Sequence, residues 1–420
     1  MHLTNAYMEQ TREKNSSNKI RVIELVSERV KAIGVSPTMK VAAKAKEMKA
    51  EGINVIDLSV GEPDFPTPSN IKVAAKKAID DNKTGYTINS GTVEFRKAIS
   101  EKLKKDNGLD YSIKEIIVSN GAKQSVYNSV LTVVNPGDEV IIPAPYWVSY
   151  PEMVSLAGGK CVNIDTDDTS GFKITPDQLR KAITPKTKAL ILCNPSNPTG
   201  SAYTKAELEA IAEIVLANDF YVIADEIYEK LIYGDYKFVS FPSLNPELKK
   251  KTILINGMSK AFSMTGWRVG YTAATEDIVG GINKIQSHST SNASSISQAA
   301  SVEALVGPPD AVEAMRVEFE KRRDFLHEQL TSIKGFTCYK PEGAFYLFPN
   351  VSAFFGKSDG STTIKDSMDF SMYLLNESNI AVVPGSAFGA EGYIRMSYAS
   401  SMSNLKEAVE RLRAAVAKLG

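Results

Sequence analysis

Short runs of β-branched and aliphatic residues alternate with longer helical patterns along most of this chain, and that alternation constrains the fold more than any other feature. Strand-like runs fall at 54–58, 114–118, 138–142, 160–164, 187–193, 219–224, 251–256 and 267–273. Helical patterns fall at 69–82, 92–106, 121–134, 146–157, 204–217 and 309–333. Runs such as Val140-Ile141-Ile142 and Phe220-Tyr221-Val222-Ile223 have no polar face, so they suit strands covered by helices on both sides. The pattern predicts an α/β fold: a large domain with a mostly parallel central sheet flanked by helices, and functional groups at the strand ends.

From about residue 310 the pattern changes to a long charged helix, scattered short strands and a last helix at 402–418. That predicts a second, smaller α+β domain. The expected division is a mobile polar leader (1–19), a segment packing with the small domain (20–60), the large domain (61–309) and the small domain (310–420). The Ser-rich stretch 287–301 reads as helix rather than linker.

Composition removes several classes of function. Of 420 residues, 49 are Lys or Arg and 49 are Asp or Glu. A net charge of zero argues against a nucleic-acid footprint or an anionic-membrane surface. No apolar run approaches the roughly 20 residues of a membrane helix. The first 19 residues lack the apolar core of a secretory signal. The three cysteines (Cys161, Cys193, Cys338) and three histidines (His2, His288, His327) show no metal-ligand spacing, so no metal is expected. Sparse, odd cysteine usage fits a reducing compartment, and the expected location is the cytoplasm. No P-loop, GxGxxG or GxSxG motif is present.

Four segments carry the chemistry. Asn194-Pro195-Ser196-Asn197-Pro198-Thr199-Gly200 follows a strand-like run, and its prolines and glycine impose a rigid turn. Ala224-Asp225-Glu226-Ile227-Tyr228 ends the next run; a carboxylate there needs a cation, such as a protonated ring nitrogen, unless it is only a helix cap. Ser259-Lys260-Ala261-Phe262 and Gly266-Trp267-Arg268-Val269-Gly270 join a lysine among apolar neighbours to an arginine. Desolvation lowers a lysine's pKa and frees its amine for Schiff-base chemistry, and an arginine offers a fork for phosphate. Gly392-Tyr393-Ile394-Arg395-Met396-Ser397 places one arginine among apolar residues, for a substrate carboxylate or a structural ion pair.

Taken with Val60-Gly61-Glu62-Pro63-Asp64-Phe65, Ser119-Asn120-Gly121-Ala122-Lys123-Gln124 and Pro145-Tyr146-Trp147-Val148-Ser149-Tyr150, these motifs occur in the order of a known family. Over about residues 20–418 the chain resembles the fold-type I pyridoxal-phosphate aminotransferases. More narrowly, it resembles their subgroup of bacterial and plastid aspartate and prephenate aminotransferases. The resemblance implies pyridoxal 5′-phosphate as cofactor, with Lys260 bonding to it covalently and shuttling a proton. It implies Asp225 at the pyridine nitrogen, Tyr228 and Asn197 at the 3′-oxygen, and Trp147 on the ring face. Arg268, Ser259 and the backbone at Gly121, Ala122 and Lys123 are the implied phosphate ligands. Tyr86 matches the family's tyrosine that reaches the same phosphate from a second chain, so the resemblance implies a homodimer with shared sites. Arg395, assisted by Gly61, is implied for the substrate α-carboxylate and Lys123 for a distal carboxylate, with Ser36 and Thr38 closing over it. Gly257 departs from relatives that carry a phosphate-binding serine. The implied reaction is amino transfer between an amino acid and a 2-oxoacid, aspartate and 2-oxoglutarate above all, with prephenate as a further acceptor. The alternatives are a lyase or an aromatic aminotransferase on the same scaffold. A DNA-binding regulator needs a further domain that the leader is too short to supply.

Overall fold

The computed structural model describes residues 26–34 and 38–420. The leader 1–19 and Ser36 therefore lie outside the described residues. Residues up to Val35 form one unit and Ser36–Gly420 a second. In the first, Ser27 caps a one-turn helix, Glu28–Lys31.

In chain order the strands are β1 (Ile56–Asp57), β2 (Ile116–Ser119), β3 (Glu139–Ala144), β4 (Lys160–Asp165), β5 (Thr187–Cys193) and β6 (Tyr221–Asp225). They continue with β7 (Thr252–Gly257), β8 (Gly270–Ala273), β9 (Tyr346–Leu347), β10 (Ile380–Ala381), β11 (Val383–Pro384) and β12 (Ile394–Ser397). A seven-stranded sheet has the order β2-β8-β7-β6-β5-β3-β4. Only β8 runs against the rest of it. This is the expected mostly parallel sheet.

Its inner strands are buried on both faces, and successive residues serve opposite layers. Leu190 and Leu192 pack with Val222, Leu254 and the helices Val93–Asn107 and Lys205–Leu216. Ala189 and Ile191 pack with Ile223, Ile255 and the helix Ala122–Val133 on the other side. Thr92 and Thr204 cap two of these helices by accepting from the backbone N–H three residues on. A separate core gathers around β9 and β12 with the helices Asp310–Thr331 and Met402–Val416. There β9, β11 and β12 form a three-stranded antiparallel sheet.

The structure departs from expectation in several places. The run 54–58 does not enter the large sheet; β1 pairs with β10 instead. The expected strand 267–273 begins only at Gly270, because residues 265–267 form a 3-10 turn and Arg268 adopts left-handed φ 54°. Within 287–301 the helix starts at Ser295. Helices Thr38–Ala50, Pro176–Ala182, Glu276–Ser287 and Ser367–Ser378 are additional to those read from the sequence. Tertiary packing decides the short segments; the helix Glu276–Ser287 carries its own apolar stripe, Ile278, Val279, Ile282 and Ile285 at helical spacing. Among the described residues no helix is long and apolar enough to cross a membrane.

The turn after β6 is anchored from below. Glu229 pairs with Lys102, and both are buried. Asn107 completes a triangle, accepting from Lys102 at 2.7 Å and donating to Glu229 at 2.9 Å. Removing one charge of a buried pair strands the other, at a cost of about 3–5 kcal/mol. Lys102→Met is expected to lose stability of that order in urea unfolding, and Lys102→Met/Glu229→Leu to regain much of it. Equal losses in the single and double variants would contradict this role for the pair.

Candidate active site

The carboxyl ends of β2, β3, β5, β6 and β7 open onto a cleft of about 710 Å³, the size of a small-molecule site. The register pairs Cys193 with Asp225, so the turns after β5 and β6 emerge side by side. The peptides Ala144–Pro145 and Asn194–Pro195, at the ends of β3 and β5, are cis.

Lys260 lies in the turn after β7 with its amine inside the cleft, where Nζ donates to the Gly61 carbonyl. The rings of Phe345 and Tyr228 stand 5.6 and 5.8 Å from it. Burial, reinforced by the charge of Arg395, pulls its pKa down to about 8; Glu62 and Asp225 oppose this. Asp225 ends β6 and is buried. Tyr150 donates to its Oδ2 at 2.7 Å and the Ile227 N–H to its Oδ1 at 3.4 Å. Burial pushes this carboxyl up, while the Tyr150 hydrogen bond, the Ile227 N–H and Lys260 hold it back. No helix begins at Asp225, so the simple cap is not what it makes.

Two glycines shape an anion cradle. A Cβ on Gly121 (φ 86°) would stand 2.5 Å from Arg268 Nη2, and one on Gly270 would stand 2.3 Å from the Ala122 nitrogen. The helix opening at Ala122 therefore sits directly against Arg268, with its first N–H groups beside a guanidinium. Arg268 donates to the Thr265 carbonyl at 2.8 Å and the Asn120 carbonyl at 3.3 Å, and has no ion pair among the described residues. Ser259 lines the same cleft. At Gly257 a Cβ would be 2.9 Å from the Gly270 Cα, so a serine has no room there. These donors fit a phosphate. Together with a lysine whose pKa is pulled down to about 8 and a buried aspartate, they fit pyridoxal phosphate.

Arg395 on β12 is 7% exposed. It donates to Asn197 Oδ1 at 2.9 Å and the Ser59 carbonyl at 2.7 Å, and its buried Nε has no partner. No carboxylate pairs with it among the described residues, which removes the structural ion pair as its explanation. A buried guanidinium held only by neutral acceptors is built for an incoming anion. Lys123 lines the cleft, 4.8 Å from the Trp147 ring; partial withdrawal of its amine from water and the charge of Arg268 lower its pKa.

The structure thus brings Lys260, Asp225, Tyr228, Asn197, Trp147, Ala122, Lys123, Ser259, Arg268, Gly61 and Arg395 into one cleft, with Gly121 beneath it. It does not bring Tyr86, which stands 95% exposed in a turn outside. Thr38 begins the helix Thr38–Ala50, and its side chain lies outside what is described. Sequence reasoning missed Tyr150, Tyr346 and Phe388. Tyr150 had a signal, three residues after Trp147 at a helix start; Tyr346 sits in an apolar run that reads as core, and Phe388 lies alone between small residues.

Residues 53–412 match the family model for aminotransferase class I and II. The aspartate aminotransferase of Bacillus sp. (strain YM-2) is 50% identical over 389 residues, 93% of this chain and 98% of its own. A probable aspartate/prephenate aminotransferase of Rickettsia bellii (strain RML369-C) is 48% identical over 399 residues, covering 94% and 100%. The crystal structure of the Rhizobium meliloti aspartate aminotransferase superposes with a TM-score of 0.91 at 44% identity, covering 94% of this chain and 99% of that one.

The lowered pKa has a direct consequence. Lys260 is charged below about pH 8 and a free amine above it. In cofactor-free protein its acylation, followed by peptide mass spectrometry, is expected to rise with a midpoint near pH 8. A midpoint at the ordinary lysine value of 10.5 would contradict the desolvated environment.

Proposed function

This chain belongs to the class I and II aminotransferases, and as a pyridoxal-phosphate-dependent member of that family we propose that it transfers the amino group of L-aspartate to 2-oxoglutarate, with prephenate as a further acceptor. The observation that carries this reading is one cleft holding both a depressed-pKa lysine and a buried arginine without a carboxylate.

When bound, pyridoxal phosphate supplies an electron sink that weakens the bonds at an amino acid's Cα. The residues do the rest. Lys260 Nζ holds the cofactor, and as a free amine takes and returns the Cα proton. Asp225, fixed by Tyr150, holds a proton on the ring nitrogen. Tyr228 and Asn197 hold the 3′-oxygen, Trp147 lies against the ring, and Arg268, Ser259 and the backbone from Gly121 to Lys123 hold the phosphate. Arg395 takes the α-carboxylate by exchanging neutral acceptors for a charged one, with Gly61 beside it. Lys123 meets the distal carboxylate.

A homodimer is part of the proposal. It is supported by Tyr86, whose ring is 95% exposed, and by Ile88 beside it at 57%. So is a division into a large domain (61–309) and a small one (310–420), which the separate cores support. The cytoplasm is the proposed location.

The experiment is direct: aspartate and 2-oxoglutarate are expected to yield glutamate, whereas a lyase would release its product without forming glutamate. Lys123→Ser should weaken aspartate roughly 10- to 100-fold, one charge-assisted contact, and leave phenylalanine nearly unchanged. A uniform loss for both would assign Lys123 to the phosphate instead. Mixing Tyr86→Phe with Lys260→Ala chains is expected to restore some native sites, because one heterodimer site collects both defects. Mixed chains no more active than the separate variants would remove the shared site.

A further inference from the structure

Tyr346 on β9 is fully buried, yet it lines the cleft. It touches both halves of the site. Its hydroxyl lies 2.9 Å from the Tyr228 hydroxyl. Its ring lies under the Arg395 guanidinium, 4.5 Å from centroid to charge. A Cβ on Gly61 would stand 3.4 Å from its hydroxyl, so it also backs the segment whose carbonyl accepts from Lys260.

We propose that Tyr346 is a positioning residue that seats Arg395 with its ring and orients the Tyr228 hydroxyl with its own. The inference rests on the functional reading above, in which Tyr228 donates to the cofactor's ring oxygen. A phenol has one hydrogen to give. If Tyr228 spends its hydrogen on the cofactor, the hydrogen between the two phenols belongs to Tyr346. The surroundings favour that polarity. Arg395, on β12, is the charged group facing Tyr346; Tyr228 follows β6, and Cys193 ends β5. Burial raises the Tyr346 phenol and Arg395 opposes this most strongly, making it the better donor. Burial pushes the Tyr228 phenol up as well, with Arg395 only a minor opposing charge there.

Two substitutions separate the hydroxyl from the ring. Tyr346→Phe keeps the volume and the stacked face but removes the donor. An oriented Tyr228 favours the anionic ring oxygen, so losing that orientation makes protonation easier. In the cofactor-loaded enzyme the pH midpoint of the visible absorption band is expected to rise by about half to one unit. The dissociation constant for pyridoxal phosphate should rise roughly two- to tenfold. Binding of succinate, a dicarboxylate with no amino group to transfer, should hardly change. Tyr346→Leu removes the ring as well and is expected to weaken succinate by roughly three- to tenfold more than Tyr346→Phe does. An unshifted midpoint with unchanged cofactor affinity in Tyr346→Phe would overturn the orienting role. Equal succinate affinity in the two variants would overturn the seating role. A wild-type protein with no visible band would instead sink the functional reading and take this inference with it.

Discussion

Withdrawing one lysine amine from water is the constraint on which the rest of the site depends. Lys260 follows β7, a strand buried on both faces, so the turn that carries it opens into the cleft rather than into solvent. The amine finds a backbone carbonyl and two aromatic rings but no carboxylate within ion-pair distance among the described residues. Arg395 adds repulsion. Desolvation therefore wins over the opposing charges of Glu62 and Asp225, and a group that is ordinarily protonated becomes a usable nucleophile and base near neutral pH.

Two arginines complete the logic from opposite roles. Arg268 is exposed to the cleft and held by carbonyls against a helix N-terminus, an arrangement that the bare backbone of Gly121 and Gly270 permits. Arg395 is buried and held by an amide and a carbonyl. Keeping a guanidinium from water without a counter-charge is costly, and the cost is recovered when an anion arrives. Tyr150, Tyr346 and the Glu229–Lys102 pair touch neither anion site's ligand directly in this account. They fix Asp225, Tyr228 and Arg395, the groups that do.

Much of this was legible in the chain. Continuous apolar runs located the sheet strands, which are buried on both faces, and longer helical patterns located their covering helices. The chemistry-bearing motifs fell just after strand-like runs, so their convergence at one sheet edge followed from parallel topology. What was not legible is pairing between distant segments. Nothing local says that Tyr150 reaches Asp225, 75 residues away, or that Tyr346 meets Tyr228 across 118. Nor does the run 267–273 reveal that Arg268 turns left-handed before the strand starts, or that Gly257 is glycine because it faces Gly270. Those facts belong to packing, and aromatic residues inside apolar runs read as core until a neighbour with a polar atom is known.

The central claim is that Lys260, and no other of the chain's lysines, is the amine that holds the cofactor. Borohydride reduction of the protein loaded with pyridoxal phosphate, followed by peptide mapping, tests it most directly. A single stable label is expected on the peptide containing Ser259-Lys260-Ala261, absent from Lys260→Ala. A label on another lysine, or one that persists in Lys260→Ala at the same stoichiometry, would contradict it.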